Sequence, residues 1–312
     1  MASITAPGQT RSGFRLFTRS ASSDRRLPLG RQVAYQLICL FIAFTVLFPV
    51  LWIFSLSIDC RGLSRPDGLN LVPACVTFDS YANVLQQPTS NPISFPELAR
   101  NSLLVAAATS VLSVGIGVSA AYAFSRLDFR GRGPLMIAIL AVLMLPAVAT
   151  IAPLFVLLTQ VRVGDFILGR TLIGVMVAIV SGALPFAIWN LKGYLDTIPK
   201  ELEEAAAVDG ASRNQSFRKV ILPLAVPALA VTGFLGFIAG WTEYYFTVIF
   251  ISEAEQYTLA LALNGMVGQF ATQTPWSEFS AFAIMFALPV SIVYLFLQKY
   301  IIGGLAIGGV KG

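Results

Sequence analysis

Histidine is absent from this 312-residue sequence, and only three cysteines occur. The absence of histidine excludes His-ligated metal centres and the Ser-His-Asp and Cys-His forms of nucleophilic catalysis. Charged residues make up only 12% of the chain, and no GxxxxGK(S/T) loop is present to hold the phosphates of ATP. We therefore expect a chain that is not an enzyme, does not hydrolyse ATP, and binds no metal or cofactor of its own.

Apolar residues, by contrast, are abundant: the chain is 56% hydrophobic, with a mean hydropathy of +0.76. This apolar fraction exceeds that of an ordinary soluble domain, so the expected solvent is lipid. A helix needs about 20 apolar residues to cross about 30 Å of hydrocarbon, and six runs are long enough. They are Val33–Ile58, Leu103–Phe124, Leu135–Leu158, Thr171–Leu191, Leu224–Ile251 and Phe279–Leu297. The sequence predicts an all-α membrane protein with six transmembrane helices.

The distribution of Lys and Arg predicts the orientation of these helices. The N-terminal tail, the second and fourth loops and the C-terminal end carry most of the basic residues, and the alternate loops carry few. Because basic loops stay on the cytoplasmic side, both termini are expected in the cytoplasm. The loop from Ser252 to Glu278, which has no Lys or Arg, is then external. This topology accounts for the net charge of +5 without a nucleic-acid partner.

The predicted topology divides the chain into five parts. They are a cytoplasmic N-terminal tail (1–32), a first transmembrane helix (33–58), an external loop (59–99), a five-helix core (100–302) with a cytoplasmic segment at 197–223, and a cytoplasmic C-terminal tail (303–312). The N-terminal tail is rich in Arg and Ser, which favours disorder or loose attachment to anionic lipid. Pro49, Pro146, Pro153 and Pro185 lie within predicted spans and are expected to kink them or mark unwound points.

Two of the three cysteines fall in the predicted external loop. A Cys60–Cys75 disulfide is one hypothesis there, because oxidation is possible outside the cytoplasm. Two unpaired thiols are the alternative. Cys39, in the first apolar run, is expected to be a small buried hydrophobic residue.

The segment from Glu204 to Pro223 is a polar block in an otherwise apolar region. Three glutamates follow Pro199, at the end of a helix where the macrodipole favours negative charge. Gly210 is typical of a helix stop, and Ser212 with Gln215 forms a capping-box pattern that starts a second helix. The sequence predicts a helix, a sharp corner and another helix, with the first helix too short to cross a membrane.

The first helix of this block has a face suited to a protein partner. Leu202, Ala205, Ala206 and Asp209 share one face by the i, i+3, i+4 spacing. The small alanine side chains allow a partner protein to approach the helix closely, and the surrounding acidic side chains set the register in which the partner binds. An amphipathic helix resting on the bilayer is the alternative, but that role favours bulky apolar and basic residues.

Glu243 is the only acidic residue within a predicted span. An ionisable residue in a span suggests a functional site, so Glu243 and its neighbour Trp241 are candidates for a transport pathway. The alternative is an interfacial position in a belt of aromatic residues. Ser113, Gly117 and Ala121 in the second run, and Gly236 and Gly240 in the fifth, have the spacing of close helix packing.

At the polar block the chain resembles a known family. Glu204-Ala205-Ala206, Gly210, Val220, Leu222 and Pro223 resemble the EAA motif of permease subunits of bacterial ABC importers, with Val220 where that motif has Ile. The resemblance extends from about Asn101 to the C-terminus. Leu145-Pro146, the EAA segment and the final Gly308 to Gly312 are similar to the smaller permease of the maltose/maltodextrin type within the carbohydrate-uptake branch.

The resemblance implies a type I importer permease fold and a division of labour in the inner membrane. A second homologous permease completes the pathway, two cytoplasmic ATPase subunits bind ATP and Mg, and a solute-binding protein delivers the sugar. The loop from Ser252 to Glu278 would touch the binding protein, and the C-terminal tail would reach the ATPase. The residues implied in ATPase coupling are Glu204, Ala205, Ala206, Asp209, Gly210, Val220, Leu222 and Pro223.

Two alternatives to uptake of maltose or maltodextrin remain open from the sequence. The first is an ABC permease for trehalose or another sugar, because selectivity in this family depends largely on other subunits. The second is an ion-coupled secondary transporter. That class requires ion-coupling carboxylates within the membrane, and Glu243 is the only candidate.

Overall fold

The computed structural model describes residues 28–62, 68–69, 71–268 and 274–308, without the side chains of 302–308. Much of the predicted N-terminal tail, part of the loops 59–99 and 252–278, and the final residues 309–312 lie outside this set. The described helices are α1 (Leu29–Ser57), α2 (Asp79–Gln86), α3 (Phe95–Arg126), α4 (Arg132–Leu143), α5 (Ile151–Thr159), α6 (Leu172–Leu195), α7 (Glu201–Val208), α8 (Arg213–Ser216), α9 (Leu222–Trp241), α10 (Tyr245–Phe250), α11 (Leu259–Gly265) and α12 (Trp276–Gly308). Arg162–Val163 (β1) and Phe166–Ile167 (β2) form a short antiparallel hairpin.

The chain separates into two units, Met1–Pro49 and Val50–Gly312. The described part of the first unit is the apolar beginning of α1, whose side chains are mostly exposed. Cys39 is exposed as well, so the prediction of a buried cysteine is wrong. This helix is apolar on every side, as expected for a helix surrounded by lipid, and it therefore leaves its cysteine uncovered.

Among the described residues, five helical segments are long and apolar enough to cross a membrane, and a sixth span results if α4 and α5 are counted together. The five are Leu29–Ser57, Phe95–Arg126, Leu172–Leu195, Arg213–Trp241 and Trp276–Ile301. The predicted run Leu135–Leu158 is broken at the proline where a kink or an unwound point was expected, and α4 and α5 meet there at 103°. Pro146 has an extended ψ of 122° in this bend, and a proline cannot continue the hydrogen-bond ladder.

The fifth predicted run, Leu224–Ile251, is also interrupted. The helix α9 ends at Trp241, and α10 begins only at Tyr245. Glu243 therefore lies in a break between two helices and not within a continuous span, which corrects the sequence prediction.

The second unit is built around α3, which packs closely against α6 and α9. A Cβ atom added at Gly240 of α9 would lie 2.7 Å from the Cα of Ala106, and one at Gly236 would lie 3.1 Å from the Cα of Ser110. The Ser110 hydroxyl donates a hydrogen bond of 2.7 Å to the carbonyl of Gly233. These contacts confirm the close packing predicted from the small residues of the fifth run.

The segment between α1 and α2 is held by covalent and ionic contacts. Cys60 and Cys75 form a disulfide, with their Cα atoms 5.5 Å apart. The side chain of Asp59 is buried and accepts hydrogen bonds from the Arg61 guanidinium at 2.7 to 3.3 Å. These bonds outweigh burial and lower the pKa of Asp59. Within its described part, the disulfide and this ion pair give the predicted external loop a defined conformation.

Candidate functional site

The EAA segment forms the predicted helix, corner and second helix. The first helix, α7, carries three glutamates in its first turn. Gly210 follows it with φ +84°, a left-handed conformation that glycine adopts without steric cost. The amide of Gly210 donates to the carbonyl of Ala207 at 3.0 Å, and that of Ala211 donates to the carbonyl of Ala206 at 2.9 Å. This pair of bonds is the Schellman motif that ends a helix.

The second helix starts with the predicted capping box. The amide of Ser212 donates to Oε1 of Gln215 at 2.7 Å, and the amide of Gln215 donates to the Ser212 hydroxyl at 3.4 Å. The segment Phe217–Ile221 is then a π-helix, which sequence reasoning did not predict. It leads into α9, so that one bent but unbroken helical segment connects the corner to a membrane span.

Most residues implied in coupling are accessible within the described chain. Glu204, Ala205, Asp209, Gly210 and Pro223 are exposed, and the remaining three, Ala206, Val220 and Leu222, are half-buried. At the tip of α7, Val208 is 88% exposed. Single exposed apolar residues are common on protein surfaces, so this exposure shows that the tip of α7 is accessible.

One residue of α7 points the other way, into a buried ion pair. The Arg126 guanidinium, at the end of α3, donates through Nε to Oε1 of Glu203, and the two side chains are only 7% and 15% exposed. The Tyr122 hydroxyl donates to Oε2 of Glu203 at 2.8 Å. Both carboxylate oxygens of Glu203 are therefore bound by α3.

The same arginine also binds the end of α6. Its Nη2 donates to the carbonyls of Leu195 at 3.1 Å and Ile198 at 2.8 Å. Its Nη1 donates to the hydroxyl of Ser125 at 3.0 Å, and Ser125 donates to Oδ1 of Asp196 at 2.6 Å. Three nitrogens of one guanidinium thus connect α7, α3 and the end of α6.

Asp196 extends this network. Its second oxygen accepts a bond of 2.6 Å from Lys192 Nζ. Burial favours a raised pKa for Asp196, but the hydrogen bonds from Lys192 and Ser125 and the nearby positive charges together lower it. We call this network the clasp; its members are Tyr122, Ser125, Arg126, Lys192, Asp196 and Glu203.

Sequence reasoning missed the clasp. Arg126 was considered only as part of a basic loop, and Glu203 only as one of three acids in a first turn. The two lie 77 positions apart, and no local spacing links them. A buried arginine at a predicted helix end, where a guanidinium binds free carbonyls, is the one signal that the sequence offers.

A groove of about 460 Å³ separates α7 from the end of α3. Its walls carry charges of both signs, from Arg126, Lys200, Glu203, Glu204 and Arg213. Three members of the clasp, Tyr122, Arg126 and Glu203, line this groove, as do the exposed residues Glu204 and Ala207 of α7.

The two predicted pathway residues are engaged within the chain. Trp241 is only 1% exposed, its Nε1 donates to the carbonyl of Phe286 at 3.0 Å, and it stacks on Phe237 and Phe286. Trp241 is therefore a packing residue. The Glu243 carboxylate accepts a bond of 2.6 Å from the amide of Phe246, so it caps the first turn of α10.

Together, the apolar spans, the broken helices and the exposed polar corner are features of a membrane transport protein. Residues 113–306 match the family described as "Binding-protein-dependent transport system inner membrane component". The chain belongs to this family, and it is thus an inner-membrane component of a binding-protein-dependent transport system.

Curated relatives match nearly the whole chain. The maltose/maltodextrin transport system permease protein MalG of Escherichia coli K12 is 34% identical over 290 residues, which cover 90% of this chain and 95% of the relative. The trehalose transport system permease protein SugB of Mycobacterium tuberculosis is 35% identical over 266 residues, which cover 85% and 93%. Both relatives are permease proteins of sugar transport systems.

A solved structure has the same fold. One chain of a bacterial ABC transporter involved in the import of the acidic polysaccharide alginate is 26% identical, with a TM-score of 0.71. The match covers 86% of this chain and 96% of that chain. The predicted type I ABC importer permease fold is confirmed.

Proposed function

We propose that this chain is a permease subunit of an ATP-driven importer that takes up oligosaccharides of the maltose/maltodextrin type. The observation that carries the sugar class is the 34% identity to MalG across 95% of that relative. The chain itself is non-catalytic and binds no cofactor. ATP and Mg bind to the partner ATPase, because the sequence has no phosphate-binding loop of its own.

In this proposal α7 is the coupling helix, inserted into a cleft of a cytoplasmic ATPase. Its exposed Glu204 and Ala205 and its fully exposed tip support a docking role. Both chain termini lie in the cytoplasm, a second homologous permease completes the pathway, and two copies of the ATPase drive it. Nucleotide-driven closure of the ATPase then moves the membrane helices as a rigid-body rearrangement.

A solute-binding protein delivers the sugar to the opposite face. The loop from Ser252 to Glu278 is the proposed contact; its residues 269–273 lie outside the described set. Val267, which is 54% exposed, offers a test that leaves the packed helix α11 in place. Val267→Glu should weaken the affinity of the binding protein for the complex, whereas Val163→Glu in the β1–β2 hairpin should not. Equal affinities would contradict this contact.

The sugar and the energy source are tested together in proteoliposomes that hold this chain with its partner subunits. We expect uptake of labelled maltose or maltodextrin that requires ATP inside the vesicles and the binding protein outside. Uptake of trehalose in preference to maltose would assign the chain to the second sugar class, which the identity to SugB supports. Uptake driven by a proton or sodium gradient without ATP would contradict the proposal.

The secondary-transporter alternative has little support in the described chain. It needs an ion-coupling carboxylate within the membrane, and Glu243, the one acidic residue in the predicted spans, caps the first turn of α10 through its bond with the amide of Phe246.

A further inference from the structure

The coupling helix has few attachments to the rest of the chain. None of its eight residues is buried within the described structure, and only Glu203 and Ala206 are half-buried. A force on α7 therefore reaches the membrane spans through the two chain ends of the helix and through the contacts of these two side chains.

Of these side-chain contacts, the one between Glu203 and Arg126 joins two charged groups. Most of this ion pair is shielded from water. The other hydrogen bonds of Glu203 and Arg126 also involve a charged group, and such bonds are stronger than those between neutral groups. Separation of α7 from α3 would break this largely desolvated ion pair and the hydrogen bond from Tyr122 to Glu203, which is unfavourable. Motion of α7 without α3 is thus opposed by the clasp.

Arg126 also connects the end of α6 to α3 and α7. Its guanidinium is planar and presents several donors in a fixed arrangement, so one side chain reaches Glu203 and the carbonyls of Leu195 and Ile198 together. These carbonyls belong to the end of α6 and the turn that leads to α7. The α3 and α6 helices both span the membrane.

We propose that Arg126 is a positioning residue that fastens the coupling helix to α3 and α6, so that motion of α7 moves these two spans as one body. The inference rests on the proposed function, in which the ATPase moves α7. Loss of the clasp would leave ATP hydrolysis running while less sugar crosses the membrane per ATP.

The variant Arg126→Lys tests this inference in the complete complex. Lysine keeps a positive charge beside Glu203, but its donors share one nitrogen, which cannot occupy the separate positions of Nε at the carboxylate and Nη2 at the carbonyls of Leu195 and Ile198. We expect normal membrane insertion, assembly and basal ATPase activity. The amount of sugar transported per ATP should fall about fivefold or more. A factor of about five is the lower end of the effect of a typical coupling free energy between two sites.

The matched control is Arg132→Lys. Arg132 forms an exposed ion pair with Asp128 at 3.1 Å and begins the next helix, and its replacement should leave the ratio of sugar to ATP unchanged. A wild-type ratio in assembled Arg126→Lys complex would overturn the proposal, because a residue that only stabilises the fold has no effect once the fold is intact.

A double variant covers the case in which Arg126→Lys fails to assemble. Arg126→Gln with Glu203→Gln removes both charges, so no unpaired charge is buried. We expect assembly to recover while the ratio of sugar to ATP stays low. Recovery of both would show that the clasp is structural only.

A distance measurement decides the inference without any transport assay. Spin labels are attached at Arg130→Cys and Glu201→Cys, both exposed positions, in a complex whose exposed Cys39 is replaced by serine. We expect a narrow distribution of label distances in the parent chain and a broad one with Arg126→Lys; equal widths would overturn the clasp. If the parent complex does not respond to sugar, the proposed function fails, and this measurement still decides the role of Arg126.

Discussion

At the scale of single residues, the contact between α3 and α9 depends on the absence of a side chain at Gly240. The atoms that a Cβ there would meet are the Cα of Ala106 at 2.7 Å and the carbonyl oxygen of Val105 at 2.9 Å. Both belong to the backbone of α3, which cannot rotate away as a side chain can. The two helices must separate to admit even one methyl group.

We therefore expect Gly240→Ala to destabilise the chain by about 1–3 kcal/mol, the usual cost of overpacking. Gly115→Ala on α3 is the matched control, because its Cβ would meet no other described residue within 4 Å. There the better helix propensity of alanine should leave stability equal or higher. Unfolding of the isolated chain in mixed detergent micelles measures both, and equal effects of the two changes would contradict the packing described here.

At the scale of the elements, the caps of the EAA segment were predictable because their signals are local. Gly210 ends α7, and Ser212 with Gln215 starts α8, within six residues of sequence. The breaks in the spans were less predictable. Pro146 suggested a kink, but a run that is apolar throughout does not show that its two halves meet at 103°. The break at Glu243 carries no proline or glycine, so the apolar pattern predicted a continuous helix there.

The corner between α7 and α8 should tolerate only residues that adopt a left-handed conformation. Gly210→Pro fixes φ near −65°, far from +84°, and removes the amide that donates to Ala207. We expect it to abolish the stimulation of ATP hydrolysis by sugar while the chain remains inserted. Gly210→Asn should retain much of the stimulation, because asparagine enters the left-handed region more readily than other residues. Equal activity of the proline and asparagine variants would contradict a role for the corner.

At the scale of the whole molecule, composition was sufficient to predict a helical membrane protein, and the EAA pattern was sufficient to predict its family. Neither of them predicted the contacts that join the spans to the EAA segment. Arg126, Asp196 and Glu203 come together only when the ends of α3 and α6 meet α7, and this depends on the packing of helices far apart in sequence. The sequence thus predicted the helix, corner and second helix of the EAA segment but missed the clasp that fastens it.

The proposed role of α7 is to transmit the action of an ATPase to the membrane spans. It is tested most directly by ATP hydrolysis of the reconstituted complex, with and without sugar-loaded binding protein, for the wild-type chain, Ala206→Arg and the control Val163→Arg in the β1–β2 hairpin. We predict strong stimulation in the wild type and the control, and none in Ala206→Arg, although that variant is inserted in the membrane. Undiminished stimulation in Ala206→Arg would contradict the account.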